Sequence, residues 1–177
     1  VNNVLVHVCC AHCSAYTVEH WRRQDYEVSA FWYNPNIHPY SEHQSRLASM
    51  KEFADKTDLP LIVDDGYDLI KYFRRVAGHE SERCRECFGL RLSRTAEAAL
   101  NNGFDAFTTT LLISPHQQHE TLRETGRTVA AEKGIEFLYA DLRKRYSDSR
   151  HITRPLDLYR QQYCGCLYSE WERYQGS

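Results

Sequence analysis

The chain has 177 residues, 42% of them hydrophobic, and a formal net charge of −2. That length and apolar content suit one domain with a real core, and the near-neutral charge excludes a protein that binds polyanions by bulk charge alone. No run approaches the roughly 18 apolar residues of a membrane span.

In chain order, the opening Val1-Asn2-Asn3-Val4-Leu5-Val6 lacks the basic region and apolar run of a secretory signal. It reads instead as the entry to a strand, so the sequence predicts a cytoplasmic protein with reduced thiols and no membrane partner. An apolar, β-branched strand over 4–8 ends in Cys9-Cys10, and Ser14 is the expected N-cap of a helix running to about Arg23. A second strand covers 28–33, followed by the turn-like Asn34-Pro35-Asn36-Ile37-His38-Pro39. Leu47, Met50, Phe53 and Ala54 recur at helical spacing. A third strand spans 61–63; Leu69, Ile70 and Phe73 mark a helix, and 78–83 is polar loop.

Cys84 and Cys87 open a helix that Gly103 terminates. A fourth strand is expected over 104–112, and Ser114-Pro115-His116-Gln117 reads as a capped helix start. That helix reaches about Lys133-Gly134, with a fifth strand at 137–139. Residues 141–154 read as loop and 156–163 as a last helix. Strands alternating with helices predict an α/β fold: a three-layer, doubly wound parallel sheet of about five strands. With strand order 3-2-1-4-5, the crevice beyond the first and fourth strands is the expected site, and Cys9-Cys10 leads into it. No repeat or linker divides the chain, so 1–177 is expected to form one metal-binding domain with a C-terminal Cys-Gly-Cys segment.

Seven cysteines fall into three groups: Cys9-Cys10-Ala11-His12-Cys13, Cys84-Arg85-Glu86-Cys87 and Cys164-Gly165-Cys166. Packing alone does not require such clustering, although buried cysteine also serves as a small hydrophobe. Clustered thiolates bind soft metals or exchange electrons as dithiols. Cys9, Cys10, Cys84 and Cys87 supply four thiolates, enough for an iron–sulfur cluster or for zinc. Cys13, one helical turn past Cys10, can replace one of them, bind a second metal ion (iron or zinc) or simply be buried. A Cys-Gly-Cys unit suits a strained, reducible disulfide, with further metal ligation as the competing role.

Outside the cysteines, His7 inside a strand reads as a packed core residue. His38 and His116 are candidates for substrate contact or for capping, and Asp141 is a candidate acid or metal oxygen ligand. Arginines crowd two segments, one with Arg74, Arg75, Arg83, Arg85, Arg91 and Arg94, the other with Arg143, Lys144, Arg145, Arg150 and Arg154 beside Tyr139 and Tyr146. Interleaved arginine and tyrosine suit RNA contact, and equally suit solvated helix faces. No phosphate-binding glycine loop is present. Where an adenine-nucleotide hydrolase would carry its Ser-Gly-Gly loop stand Cys9-Cys10-Ala11-His12-Cys13.

These residues carry a resemblance. His7-Val8-Cys9-Cys10-Ala11-His12-Cys13-Ser14, Tyr33-Asn34-Pro35-Asn36-Ile37-His38-Pro39 and Arg83-Cys84-Arg85-Glu86-Cys87-Phe88 resemble epoxyqueuosine reductases of the QueH type. So do Thr108-Thr109-Thr110-Leu111-Leu112-Ile113-Ser114-Pro115 and Leu158-Tyr159-Arg160-Gln161-Gln162-Tyr163-Cys164-Gly165-Cys166. His12 departs from the pattern, which has proline there. The resemblance implies the last step of queuosine synthesis: two-electron reduction of the epoxide of epoxyqueuosine, at the wobble position of tRNA, without cobalamin. It implies a fold related to the adenine-nucleotide hydrolases (the HUP class), a 4Fe-4S cluster on Cys9, Cys10, Cys84 and Cys87, and a redox-active pair at Cys164 and Cys166. An unidentified electron donor is a further expected partner, a nearby acid such as Asp141 or a histidine would protonate the leaving oxygen, and Tyr33 or Tyr146 would stack on loop bases. The alternative is a zinc-stabilised RNA-binding or RNA-modifying domain on the same thiolates, without redox chemistry.

Overall fold

The structure, a computed structural model, describes residues 2–176; Val1 of the opening run and Ser177 lie outside the described residues. Strand β1 (Asn3–Val8) alternates faces with period two, and the two faces bury different cores. Leu5 joins Phe31, Phe107, Phe88 and Leu122 on one side, while Val4, Val6 and Val8 join Val18, Trp21, Met50 and Phe53 on the other. Both faces being apolar is what a parallel sheet between helix layers requires.

Strands β2 (Glu27–Trp32), β3 (Leu61–Val63), β4 (Ala106–Thr109) and β5 (Glu136–Phe137) complete the sheet in the order β3-β2-β1-β4-β5. Every pairing is parallel, with Leu5 opposite Ser29 on one side and Phe107 on the other. Helices α1 (Ala11–Arg22) and α2 (Tyr40–Lys56) bury Val18, Trp21, Met50 and Phe53 against the Val4 face. Helices α3 (Leu69–Val76), α4 (Arg83–Asn101) and α5 (His119–Lys133) send Tyr72, Leu92, Phe88 and Leu122 to the Leu5 face. Full burial of each such side chain is worth about 1.5–3 kcal/mol. The order reverses between β1 and β4, so the crevice opens where those two strands end.

Several boundaries differ from the sequence reading, each for a local reason. Helix α1 starts at Ala11, not after Ser14: the Cys10 sulfur caps it by accepting from the Cys13 amide at 3.3 Å, and the Ser14 hydroxyl donates to the Cys10 carbonyl at 2.7 Å. In α3 the buried residues are Tyr72 and Val76, while Ile70 is 66% exposed. Strand β4 stops at Thr109, whose hydroxyl accepts from the Leu111 amide at 3.2 Å and turns the chain into a 3₁₀ turn, Thr110–Ile113. Ser114 makes a turn of its own with the His116 amide at 3.2 Å, and α5 begins only at His119.

The tail holds two helices that the apolar pattern did not announce. Helix α6 (Tyr146–Thr153) buries Ser149 and Thr153, and docks on α1 by hydroxyls: Ser149 accepts from the Tyr16 amide at 2.9 Å and donates to the His12 carbonyl at 2.5 Å. Residues 156–163 are not a regular helix, and Leu158 is the one residue of that stretch that is buried. The last helix is α7 (Leu167–Tyr174), with no buried residue, capped by the Cys166 sulfur and tied back through Arg83 and Glu172.

Candidate active site

Cys9, Cys13 and Cys164 meet at the β1–β4 crevice, while Cys87, with Cys84 packed against it, joins the core cluster that holds the first group. Cys9, Cys10 and Cys13 lie at the end of β1 and the first turn of α1, buried, with sulfurs all within 4.8 Å of one another. The Cys9 sulfur is 3.8 Å from the Thr110 hydroxyl, which joins the ends of β1 and β4. Hydrogen bonds from Cys10 and Cys13 hold the Cys9 thiol well below the usual thiol range, while donation to Cys10 and Cys9, with burial, pushes Cys13 up. The triad therefore favours one ionised sulfur with two thiols pointed at it.

Cys84 and Cys87, in the first turn of α4, stand outside that 4.8 Å set. Cys87 is buried in the same core cluster as the triad, with Cys84 and Cys166 packed against it. Burial pushes the Cys87 thiol up to about 12 and raises Cys84 as well. The group that links the sets is Arg91, one turn after Cys87 on α4. Its side chain is buried, and Cys87, Cys9 and Cys164 offset the desolvation of its charge. Its Nε donates to the Cys87 carbonyl at 3.3 Å.

Cys164 is exposed as a residue, yet its sulfur accepts from Gln117 Nε2 at 3.4 Å and burial raises its pKa. The Cys166 sulfur accepts from the Ser169 amide at 3.4 Å and packs against the core cluster that includes buried Tyr72. No disulfide joins these cysteines among the described residues. A cavity of about 650 Å³ lies over the crevice, with Cys9, Cys13, Arg91, His116, Tyr146 and Cys164 in its wall. Its size fits a small-molecule or nucleoside ligand.

The Cys164-Gly165-Cys166 segment is held by side chains that sequence reasoning missed. Buried Arg46 on α2 donates to the carbonyls of Cys164 at 2.6 Å and Tyr163 at 3.0 Å, and its Nε bonds Glu42 at 2.9 Å. Arg46 sits at i, with Met50 at i+4 and Phe53 at i+7; a charge on that apolar stripe was the available signal. Arg91 gave a similar one, four residues after a candidate ligand. Tyr72 gave none.

The other candidates separate. His7 is a core residue as expected, bonded to the Thr109 hydroxyl and the Tyr33 carbonyl at 3.1 Å each, with its pKa lowered to about 4 by burial. His38 is 2% exposed: Nε2–H donates to the Pro35 carbonyl at 3.0 Å and Nδ1 accepts from the Leu167 amide at 3.2 Å, so it clamps the tail rather than facing the cavity. His116 lines the cavity edge-on to Tyr146, with ring centres 5.8 Å apart. Tyr33 is fully buried with its hydroxyl on Asp68 at 2.8 Å, which removes it from base stacking, whereas Tyr146 lines the cavity. Asp141 is absent from the cavity wall. Arg143 grips both its oxygens, at 2.9 and 2.6 Å, and holds the carboxyl well below the usual range. Among the described residues no helix is long and apolar enough to cross a membrane.

A family model described as epoxyqueuosine reductase QueH matches residues 4–172. The epoxyqueuosine reductase QueH of Dehalococcoides mccartyi is 52% identical, over 97% of this chain and 94% of its own. That of Thermotoga maritima is 33% identical over 98% and 93%. The crystal structure of a predicted subunit of tRNA methyltransferase from Methanocaldococcus jannaschii aligns with a TM-score of 0.57 at 12% identity, over 86% of this chain and 74% of that one, a likeness of fold alone. With a match that runs from β1 into α7 and a relative more than half identical over nearly both lengths, the chain belongs to the epoxyqueuosine reductase QueH family.

Proposed function

We propose that this chain reduces the epoxide of epoxyqueuosine, at the wobble position of tRNA, to the alkene of queuosine, by an iron–sulfur centre and a thiol pair and without cobalamin. The observation that supports it most is that Cys9, Cys87 and Cys164, one from each cysteine group, lie near buried Arg91, with Cys9 and Cys164 also in the wall of one cavity. In this reading 1–177 acts as one unit, with the Cys-Gly-Cys segment as its redox arm.

Cys9, Cys10, Cys84 and Cys87 would hold the 4Fe-4S cluster, with Cys13 available to a second metal ion, iron or zinc. The donor set fits: all five sulfurs are soft, they are buried or half-buried, and a guanidinium beside them offsets part of the thiolate charge. When bound, the centre supplies electron transfer and Lewis acidity toward an oxygen. The rest falls to the chain's own groups.

Taking an epoxide to an alkene breaks both C–O bonds and consumes two electrons and two protons, with oxygen leaving as water. The Cys164 and Cys166 thiols hold that amount, because closing their disulfide releases two electrons and two protons. An external electron donor then restores the dithiol, in a reducing compartment such as the cytoplasm. Gln117 and Ser169 orient the two sulfurs. His116, in the cavity wall, is the favoured proton donor to the leaving oxygen. Asp141 is the alternative, and it must first give up its ion pair with Arg143.

Protein purified without oxygen should contain about four irons with matching sulfide and a broad visible absorption. Cys84→Ala should lose iron and activity on epoxyqueuosine tRNA together. An iron-free variant of full activity would overturn the reading. Colourless protein with stoichiometric zinc, unchanged by iron and sulfide reconstitution, would replace it with a zinc-stabilised RNA-binding domain.

A further inference from the structure

The arginines of the chain divide by whether an acid already holds them. In the middle segment Arg75 pairs with Glu86, Arg83 with Glu172, Arg85 with Glu124 at 3.3 Å, and Arg94 with Asp64 at 2.7 Å. Arg91 is buried among thiols. Arg74, on α3, makes no ion pair among the described residues but lies at a different cavity. In the later segment Arg143 and Arg145 pair with Asp141 and Asp148 at 2.6 and 3.0 Å. Arg150, Arg154 and Arg160 make no ion pair among the described residues, and they converge on one small cavity of about 240 Å³ with His12, Ser147 and His151.

Among the described residues no carboxylate lines that cavity. Three guanidiniums gathered without a counter-charge repel one another, and an anion between them turns that cost into charge-assisted hydrogen bonds. At about 240 Å³ the space is smaller than the 300–1,000 Å³ of sites for whole drug-sized ligands, and it suits a single anionic group. Arg150 and Arg160 also line the thiol cavity, so the two spaces adjoin. An anion held in the small one is next to whatever molecule fills the large one.

The pocket is also braced. His12, at the start of α1, accepts from the Thr153 hydroxyl at Nδ1 (2.6 Å) and donates from Nε2 to the Tyr159 carbonyl (3.1 Å). One ring thereby fastens the last turn of α6, which carries Arg150 and leads into Arg154, to the segment that carries Arg160. Arg150 lies over the Tyr146 ring at 5.4 Å, and His151 Nδ1 donates to the Ser147 carbonyl at 2.9 Å. His12 is thus a positioning residue for the pocket.

We infer that this small cavity binds a backbone phosphate of the RNA substrate, beside the nucleoside that enters the thiol cavity. The inference rests on the reading that an RNA is reduced there. Nucleic-acid backbones supply a phosphate on either side of every nucleoside, and arginine forks match its oxygens.

The test uses the full chain and an anticodon stem-loop RNA, with binding measured across a salt series. Arg154→Gln and Arg160→Gln should each weaken binding about five- to tenfold and lower the slope of log Kd against log salt by about one. Arg75→Gln, which removes an arginine already paired with Glu86, should change neither. A neutral methylphosphonate at the linkage beside the wobble nucleotide should weaken wild-type binding by the same factor and add nothing to the loss in Arg154→Gln. If wild-type protein binds and reduces the RNA while both variants keep its affinity and slope, the phosphate assignment is overturned and the reductase reading stands. If inorganic phosphate binds the wild type but not the variants, and RNA affinity is unchanged, the pocket serves a free anion and the assignment is again overturned. Wild-type protein that neither binds nor reduces the RNA would overturn both.

Discussion

The two ends of the chain bring thiols to one cavity by opposite means. At the N-terminal end, regular backbone does the work: β1 delivers Cys9 and Cys10, α1 places Cys13 one turn on, and the Cys10 sulfur itself caps the helix. At the C-terminal end Cys164 and Gly165 lie in neither strand nor helix, and only Cys166 meets regular backbone, as the N-cap of α7. Arg46 holds its carbonyls, the His38 amide donates to Gly165 at 2.8 Å, and Leu167 returns a bond to His38. Three sulfurs that could hold a metal ion would gain from backbone that fixes their positions, whereas a thiol pair proposed to cycle would have to tolerate two bonding states. Side-chain clamps outside the segment hold it in place while leaving its own dihedrals free to change.

The largest effect should come from breaking the rigid end. Cys10→Ser keeps a capping acceptor and removes a soft ligand, so bound metal and activity should fall to background while the metal-free fold keeps its unfolding midpoint. Cys10→Ala should lose the metal and, in addition, about 1 kcal/mol of fold stability with the cap. Metal analysis alongside urea unfolding separates the two. Equal midpoints for the Ser and Ala variants would remove the capping role from Cys10.

Next comes the clamp. Arg46→Ala leaves Glu42 without its cation, with only the Tyr159 hydroxyl on its other oxygen, and frees two carbonyls, a change worth about 3 kcal/mol. Its activity should drop about 10- to 100-fold, as for groups that orient a reacting shell, with iron content unchanged. If iron leaves with activity, the two ends are one cooperative unit and the contrast between them collapses. Gly165→Ala is the milder probe. A methyl there would stand 3.3 Å from Ile37 Cγ1 and 3.4 Å from the Asn36 carbonyl, tight enough to displace the segment by tenths of an ångström. The expected cost is about 1 kcal/mol with a several-fold lower rate, again with iron retained.

The same contrast explains what could be read from the sequence. Period-two and helical patterns report elements that bury apolar faces, and those placed β1, β2, β3 and the Cys9-Cys10 crevice close to where they lie. Helix α6 docks through the hydroxyls of Ser149 and Thr153, and α7 buries nothing, so neither leaves an apolar rhythm. The threonine-rich run after Phe107 reads as continuing strand, but the Thr109 hydroxyl turns the chain opposite His7, one residue before β1 itself ends. Arg46 and Arg91 were legible only as charges on apolar helix faces. What such a charge holds is a matter of tertiary contact, and Arg46 reaches 118 residues along the chain to Cys164.

The smallest predicted effect tests whether the clamp has its own acid sensitivity. His43, on α2 beside Arg46, is buried, and its Nε2 accepts from Trp32 Nε1 at 3.2 Å. Burial, with Arg46 and His38 nearby, lowers its pKa to about 4. The unfolded chain therefore takes up this proton near pH 6.5, while the folded chain refuses it until about pH 4. Stability from this group is complete above pH 6.5 and is lost as the pH falls from 6.5 toward 4. A glutamine keeps an acceptor for Trp32 without the titration, so His43→Gln should flatten the acid limb of stability against pH by some fraction of the roughly 1.4 kcal/mol per pH unit that one proton is worth. His7 is buried and shifted to a similar value at the opposite end of the contrast, so part of the acid limb must survive in the variant. An unchanged limb would mean that His43 takes up its proton without loosening α2, and that the acid sensitivity of the fold belongs to the strand end rather than to the clamp.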